Sequence, residues 1–424
     1  MKPISAERSI ESPTLWAKNG AFAILDQGLF AGANFLANIL LARWLPPEQY
    51  GAFAVAYSAF LLLGSFHTAV LTEPLLVFGA GKYANHIQKY LGLLLYAHVG
   101  LALVVSLFLA MAALIFWQLG SATLAQALSG LAFASPFVLL LWLVRRAFYV
   151  SLQPQWAATG GALYILLMLA GMYGLYQRHM LSSGSALVVM GLAGLVAGLW
   201  LTFRQRPQWR FSRENPTPRM VLADHWGYGR WAVATAALIW VPGNIYYALL
   251  PIWLGLEGTA ALRAVMNLIM PILHANSALS LLLVPAFVKA FREMGRAGLR
   301  RRVRQGLILL GASSVLYLGF LILFRSKLMA WLYGGKYGGY GNLLLIVGLL
   351  PLSVGAVAAL GGALRAMEQP NRVFWCYVVS TAVTLTVGLW LAATLGVSGA
   401  VIGLLVSSVA TAASMIFFLR DVIL

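Results

Sequence analysis

Four sets of polar residues lie in otherwise apolar stretches, at spacings that put each set on one helical face. At about 100° per residue, Arg263, Asn267, Met270, His274 and Ser277 share an arc of about 80°. A cation followed by neutral polar groups would suit an anionic or hydroxyl-rich ligand. The structural alternative makes Arg263 an interface anchor and His274 a packed, hydrogen-bonded side chain. Gln27, Asn34 and Asn38 fall within about 40° of one another. Asp26, about 100° from Gln27, is the one acid deep in an apolar stretch. Placing such a group in a membrane costs roughly 2.5–3.5 kcal/mol on insertion scales, so it needs a reason to be there. A cation or proton site is one reason, making Asp26 and His274 the candidates for ion coupling. An ion pair with Lys18 or a neighbouring helix is the other. Tyr57, Gly64, Ser65, Thr68 and Thr72 make a broad third face, with His67 about 100° from Thr68 and read as structural. Trp226, Arg230, Trp240, Asn244 and Tyr247 make the fourth, with bends expected at Pro242 and Pro251. Aromatics beside polar groups suit stacking on sugar rings, and equally suit helix packing.

Other chemistry is poorly served. Gly79-Ala80-Gly81-Lys82-Tyr83 lacks the leading glycine and trailing Ser/Thr of a phosphate-binding loop, and Gly334-Gly335-Lys336 fails the same test. There is no HExxH, no paired-carboxylate site and no plausible triad. Cys376 is the lone cysteine, so an intrachain disulfide and a CxxC metal site are both excluded, and a small packed hydrophobe is the expected role. No cofactor or metal is expected, and a carrier rather than an enzyme is the class left standing.

The elements that must position these faces are membrane spans. Of 424 residues 61% are hydrophobic and 9% charged, against roughly 25% charged in soluble domains. Mean hydropathy is +0.84. These values exclude an ordinary soluble enzyme, a disordered chain and a nucleic-acid-binding domain. A ruler of about 20 apolar residues gives twelve spans: 19–42, 50–71, 90–117, 125–144, 157–177, 185–203, 228–252, 262–287, 306–325, 341–364, 373–395 and 399–419. The first is too long for a signal-peptide core and is read as a retained helix. With the N-terminus inside, 23 of the 29 Lys and Arg fall on inner segments, so both termini are expected in the cytoplasm. The net charge of +18 is then inside bias, not a nucleic-acid footprint. Many tryptophans, among them Trp44, Trp117, Trp200 and Trp253, fall at span ends, as interfacial belts do.

The longest central inner loop divides the spans six and six. The expected organisation is a cytoplasmic segment 1–18, an N-terminal lobe 19–203, a basic linker 204–227 and a C-terminal lobe 228–424. Trp44-Leu45-Pro46-Pro47-Glu48 after the first span has an echo in Trp253-Leu254-Gly255-Leu256-Glu257 after the seventh, which suggests parallel repeats with a site between them. The basic run Lys289–Arg304 reads either as an interfacial amphipathic helix on anionic lipid or as a solvated inner loop.

Several short motifs resemble one family. Asn38-Ile-Leu-Leu-Ala-Arg43-Trp44-Leu-Pro46-Pro47-Glu-Gln-Tyr50-Gly51 is similar to the first-helix exit of bacterial Wzx-type polysaccharide flippases. Leu332-Tyr333-Gly-Gly-Lys336-Tyr337 resembles that family's Tyr-Gly-x-x-Tyr loop. Leu364-Arg-Ala-Met-Glu-Gln-Pro370 and Gly396-Val-Ser-Gly-Ala400 resemble its turns after the tenth helix and before the last. The resemblance points to the multidrug/oligosaccharidyl-lipid/polysaccharide (MOP) exporter superfamily. It implies an all-α, MATE-like fold of twelve helices in two lobes, alternating access, and a cavity lined by spans 1, 2, 7 and 8. It implies a substrate too, a polyprenyl-diphosphate-linked oligosaccharide moved from the cytoplasmic to the periplasmic leaflet of the bacterial inner membrane. Membrane lipids are the expected surroundings, and a polymerase or glycosyltransferase the candidate protein partner. No nucleic acid is expected, and the chain is read as a monomer. The alternatives are a cation-coupled drug antiporter of the same fold and a non-transporting subunit of a polysaccharide synthase complex.

Overall fold

The computed structural model describes residues 13–208 and 216–423. Residues 1–12 of the expected N-terminal segment, with Lys2 and Arg8, lie outside the described residues. So does the middle of the expected linker, with Arg210 and Arg213.

The described chain is helical from end to end, with no strand among the described residues. Its elements are α1 (Pro13–Trp44), α2 (Pro47–His67), α3 (Glu73–Ala80), α4 (Ile87–Gln118), α5 (Ala122–Val150), α6 (Pro154–Gln177), α7 (Ser183–Gln205), α8 (Pro218–Asn267), α9 (Met270–Tyr333), α10 (Leu344–Val347), α11 (Leu350–Ala366), α12 (Pro370–Val383) and α13 (Leu389–Ile423). Proline opens several of them, at 47, 154, 218 and 370, where its missing N–H costs nothing. A Ser182–Ser185 capping box starts α7. Two π-helical turns, Thr68–Thr72 and Thr384–Gly388, join α2 to α3 and α12 to α13.

Ten helical stretches among the described residues are long and apolar enough to cross a membrane, and the chain is a multi-pass membrane protein. Hydropathy marks twelve spans where the helices form ten stretches: kinks at three glycines each run two spans together, and Leu268 and Ile269 divide the expected span 262–287 between α8 and α9. Gly255 in α8, Gly295 in α9 and Gly396 in α13 take positive φ, and helix resumes at the next residue. Each glycine falls between two expected spans. Two stretches expected to lie between spans are helical in part. Helix α8 already starts at Pro218, inside the expected linker 204–227. The basic run 289–304 is helical on both sides of a kink at Gly295. It is part of α9, and its Leu299 and Val303 are buried against Phe287, Leu360 and Leu364, leaving Arg300, Arg301, Arg302 and Arg304 exposed. Cys376 is buried in the same cluster.

Helix α5 packs against α4, α7 and α2, and α1 against α6. In the second half α9 packs on α11, and α13 on α8, α11 and α12. The halves meet along one continuous seam, α2 against α8. At one end Gly51 touches the Leu256 main chain so closely that a Cβ would overlap the Leu256 carbonyl. Midway, Trp240 Nε1 donates to the Ser58 carbonyl at 3.0 Å. At the far end Tyr90 donates to His225 Nε2 at 2.6 Å, and His225 Nδ1–H donates to the Val70 carbonyl at 2.7 Å. Lys82 pairs there with Asp224 at 2.6 Å.

The opposite seam, α1 against α9, is closed only at its Trp44 end. Ala37, Asn38, Ile39, Leu41 and Ala42 are buried, whereas Ile24, further down α1, is 76% exposed. Facing it, Ile269 and Ile272 are buried, then His274 and Ser277 emerge. Among the described residues every hydrogen bond from α1 to the second half involves residues 38 to 45 or the turn just after them. The result is a wedge, shut at the Trp44 end and parted along one side.

Candidate functional site

The wedge encloses a cavity of about 530 Å³, within the size range of ligand pockets. Helices α1, α2, α8, α9, α11, α12 and α13 contribute to its wall. Most of the lining is apolar, with Leu61, Met266, Met270, Leu350 and Val354 among it. One group of polar side chains lies at the shut end, and Tyr377, Ser380, Ser408 and Thr411 add others from α12 and α13.

Arg263 is the centre of that group. It is only 5% exposed. Its Nε donates to Asn38 Oδ1 at 3.0 Å, across the two halves. Its guanidinium sits 5.0 Å from the Tyr57 ring centroid and 5.4 Å from that of Tyr247. The electron-rich ring faces stabilise the cation without neutralising it. No carboxylate pairs with it among the described residues, whose ion pairs are Lys82–Asp224, Arg145–Asp26 and Lys289–Glu293. A buried charge is normally paired. This one is held by neutral groups, which leaves its charge available to an anion.

The neighbours are fixed in turn. Tyr57 donates to Asn34 Oδ1 at 3.1 Å, and Asn38 Nδ2 donates to the Asn34 carbonyl at 2.8 Å. Asn267 Nδ2 donates to Tyr50 Oη at 2.8 Å, again across the halves. Tyr333 donates to the Ala264 carbonyl at 2.7 Å. Asn244 and His274 line the same cavity, His274 nearer the open side.

Of the residues the sequence singled out, Arg263, Asn267, His274, Asn244, Asn34, Asn38 and Tyr57 therefore come together in one cavity. Gln27, Thr68 and Asp26 do not join them. They line a separate pocket of about 190 Å³ with Trp142, Arg146 and Tyr149. Ser277 is exposed beyond the cavity wall, and Arg230 is exposed with its guanidinium 5.6 Å from the Trp231 ring, lining neither space.

Asp26 is fully buried. Arg145 Nη2 donates to its Oδ1 at 2.6 Å, and Tyr149 Oη donates to its Oδ2 at 2.6 Å. Arg145 lies 3.9 Å from the Phe30 ring centroid. Both carboxylate oxygens are thus engaged by one turn of α5, and the acid has a resident counter-ion. Sequence reasoning places Arg145 in an inner loop after span 125–144, but α5 runs to Val150 and carries Arg145 and Tyr149 on one face four residues apart. That spacing was the available signal. A second buried pair, His67 Nε2 and His98 Nδ1 at 3.0 Å, ties α2 to α4 and, through His98 Nε2–H, to the Pro136 carbonyl at 3.1 Å.

No known family pattern matches the sequence, and neither does any curated protein. Solved structures do share the fold. The chain is similar to the inward-facing form of a multidrug-resistance MATE family transporter of the MOP superfamily, at 14% identity and TM-score 0.74, covering 95% of this chain and 98% of that one. It is similar to the lipid II flippase MurJ in an inward closed conformation, at 10% identity and TM-score 0.74, covering 95% and 87%. For an outward-facing MATE transporter the values are 14% and 0.65, covering 96% and 95%. The fold is that of MOP superfamily transporters.

Proposed function

We propose that the protein is a flippase for a polyprenyl-diphosphate-linked oligosaccharide, carrying it from the cytoplasmic to the periplasmic leaflet by alternating access between two lobes of six helices. In this reading both termini are cytoplasmic, the Trp44 end faces the periplasm, and the molecule is inward-facing. The kink glycines Gly255, Gly295 and Gly396 then mark span boundaries, giving twelve spans. The higher TM-score against the inward-facing transporter than against the outward-facing one supports the inward-facing conformation.

The observation that carries the reading is Arg263, a buried guanidinium with no acid beside it at the shut end of a largely apolar cavity. A diphosphate supplies the charge it lacks, and charge-assisted hydrogen bonds to phosphate are strong. Asn34, Asn244 and His274 offer partners for sugar hydroxyls, and the parted α1–α9 side lets a prenyl tail stay in the bilayer. Fold likeness does not choose between this and cation-coupled drug export, since both comparison classes reach TM-score 0.74. The cavity's charge supports the anionic substrate. Arg263 repels a cationic drug, and Asp26 has both oxygens occupied, leaving no vacancy for a coupling cation.

The test is binding of a fluorescent prenyl diphosphate to purified protein in nanodiscs, then its flipping in proteoliposomes. Arg263→Ala removes charge-assisted bonds of about 1.5–3 kcal/mol, so affinity should fall by roughly 10- to 100-fold with the protein still folded. Unchanged binding would remove Arg263 from the site. Preferential binding of organic cations would install the antiporter reading instead.

A further inference from the structure

We infer that Arg43 and Lys336 form a reciprocal clasp that holds the Trp44 end shut, each cation capping the helix C-terminus of the opposite half. The idea rests on the alternating-access reading for its purpose, but not on any substrate.

Lys336 Nζ donates to the Arg43 carbonyl at 2.6 Å and to the Leu45 carbonyl at 2.8 Å, at the exit of α1. In the other direction Arg43 Nη1 donates to the Trp331 carbonyl at 2.9 Å, in the last turn of α9. The two cations therefore exchange places across the halves. Each meets the negative end of a helix dipole and carbonyls that have run out of helix donors. The interaction contains no carboxylate.

The flanking residues explain why these carbonyls are open and why the lysine arrives. Within a helix the Arg43 carbonyl would accept from the N–H of residue 47, and the Ala42 carbonyl from that of residue 46. Both positions are proline and have no N–H to give. The Arg43 carbonyl is thereby left for Lys336. On the other side α9 ends at Tyr333, and Gly334 and Gly335 follow with φ of 62° and 82°. Two successive left-handed residues suit glycine and turn the chain back on itself. The turn presents Lys336 to α1, while Tyr337 is buried with its ring centroid 5.5 Å from Tyr333 and 6.4 Å from Tyr50. Lys336 is an exposed residue, and the partial burial of its ammonium pushes its pKa below the usual lysine value. The two motifs that meet here, Ala42–Pro47 and Leu332–Tyr337, are nearly 300 residues apart and are among those most like the flippase family.

A clasp of this kind must open once per transport cycle, so its strength sets how much of the substrate-free protein is open to the periplasm. The experiment is a spin-label distance measurement on the full chain in nanodiscs, with labels on Met180→Cys and Lys327→Cys. These exposed positions lie on loops or helix ends of opposite halves, and Cys376 is buried and stays in place. Unsubstituted Lys336 should give a short, narrow distribution. Lys336→Met and, independently, Arg43→Gln should each raise a longer-distance population by about tenfold, the effect of losing one or two charge-assisted bonds. Lys336→Arg, which keeps a cation, should restore the narrow distribution. Unchanged distances in both Lys336→Met and Arg43→Gln would overturn the clasp, as would Lys336→Arg opening the molecule as far as Lys336→Met does. No lipid-linked glycan enters the measurement, so failure of the flippase reading and failure of the clasp are read separately.

Discussion

At the residue scale, Asp26 shows what a single sequence can and cannot reveal. Its rarity was legible, since it is the one acid deep in an apolar stretch. Its partner was not, because hydropathy ends the fourth span at residue 144 and assigns Arg145 to the inner loop. A basic residue one step past an apolar run looks the same whether it faces water or folds back along the helix. The structure gives Asp26 two donors from α5, Arg145 and Tyr149, so the acid has a counter-ion within the first half. Asp26→Asn should strand a buried guanidinium and destabilise the protein by about 3–5 kcal/mol, while adding Arg145→Gln should recover much of the loss. Unfolding in detergent, followed for the single and double variants, checks this. Equal losses in both would mean that the pair does not act as a unit. Arg263 was legible for the opposite reason. Its companions Asn267 and His274 repeat along one face over several turns, and such periodicity survives without knowledge of the neighbours.

At the scale of elements, the seam between α2 and α8 depends on a close approach that the sequence disclosed only obliquely. The similarity between Trp44–Glu48 and Trp253–Glu257 suggested corresponding turns in two halves. It did not indicate that the second turn rests on the helix following the first. Gly255 breaks the helix, and the Leu256 carbonyl settles where Gly51 has no side chain. Gly51→Ala should therefore cost about 1–3 kcal/mol by overpacking, more if the Leu256 main chain cannot yield. Gly28→Ala, at a site on α1 with no atom within 4 Å of the added carbon, is the control and should be near neutral. Comparable midpoints for the two would argue against the close contact. The basic run 289–304 is a related case. Its charge suggested a loop or a lipid surface; in the structure two helices meet there at Gly295, whose positive φ makes the kink, and tertiary packing claims Leu299 and Val303.

At the scale of the molecule, the order and lengths of the apolar runs were enough to give an all-helical membrane protein, and the motif resemblance pointed to its fold. They could not give its conformation, because opening one side of the wedge changes no residue's hydropathy. The asymmetry between a closed α2–α8 seam and a parted α1–α9 seam leads to an accessibility prediction. In the proposed orientation, Gln27→Cys and Ser277→Cys should react with a membrane-impermeant thiol reagent applied from the cytoplasmic side. Asn38→Cys should be protected from both sides until the Trp44 end opens. Labelling of Asn38→Cys from the periplasmic side in resting cells would reverse the assignment of the closed end.

The clasp has a consequence for how variation in this protein would be read. Its acceptors are main-chain carbonyls, so no side-chain substitution at the accepting residues deletes them, and an alanine scan would register only half of the interaction. The other half is written in Pro46 and Pro47, positions that carry no charge and act by what they withhold. Pro46, at φ −56° and ψ 150°, turns the chain out of α1 before residue 47 could offer the Arg43 carbonyl an amide hydrogen. In a collection of natural or selected variants, the trace of this contact would be two cations and two imino acids that change together. Those are four positions that a contact map of side chains would never group.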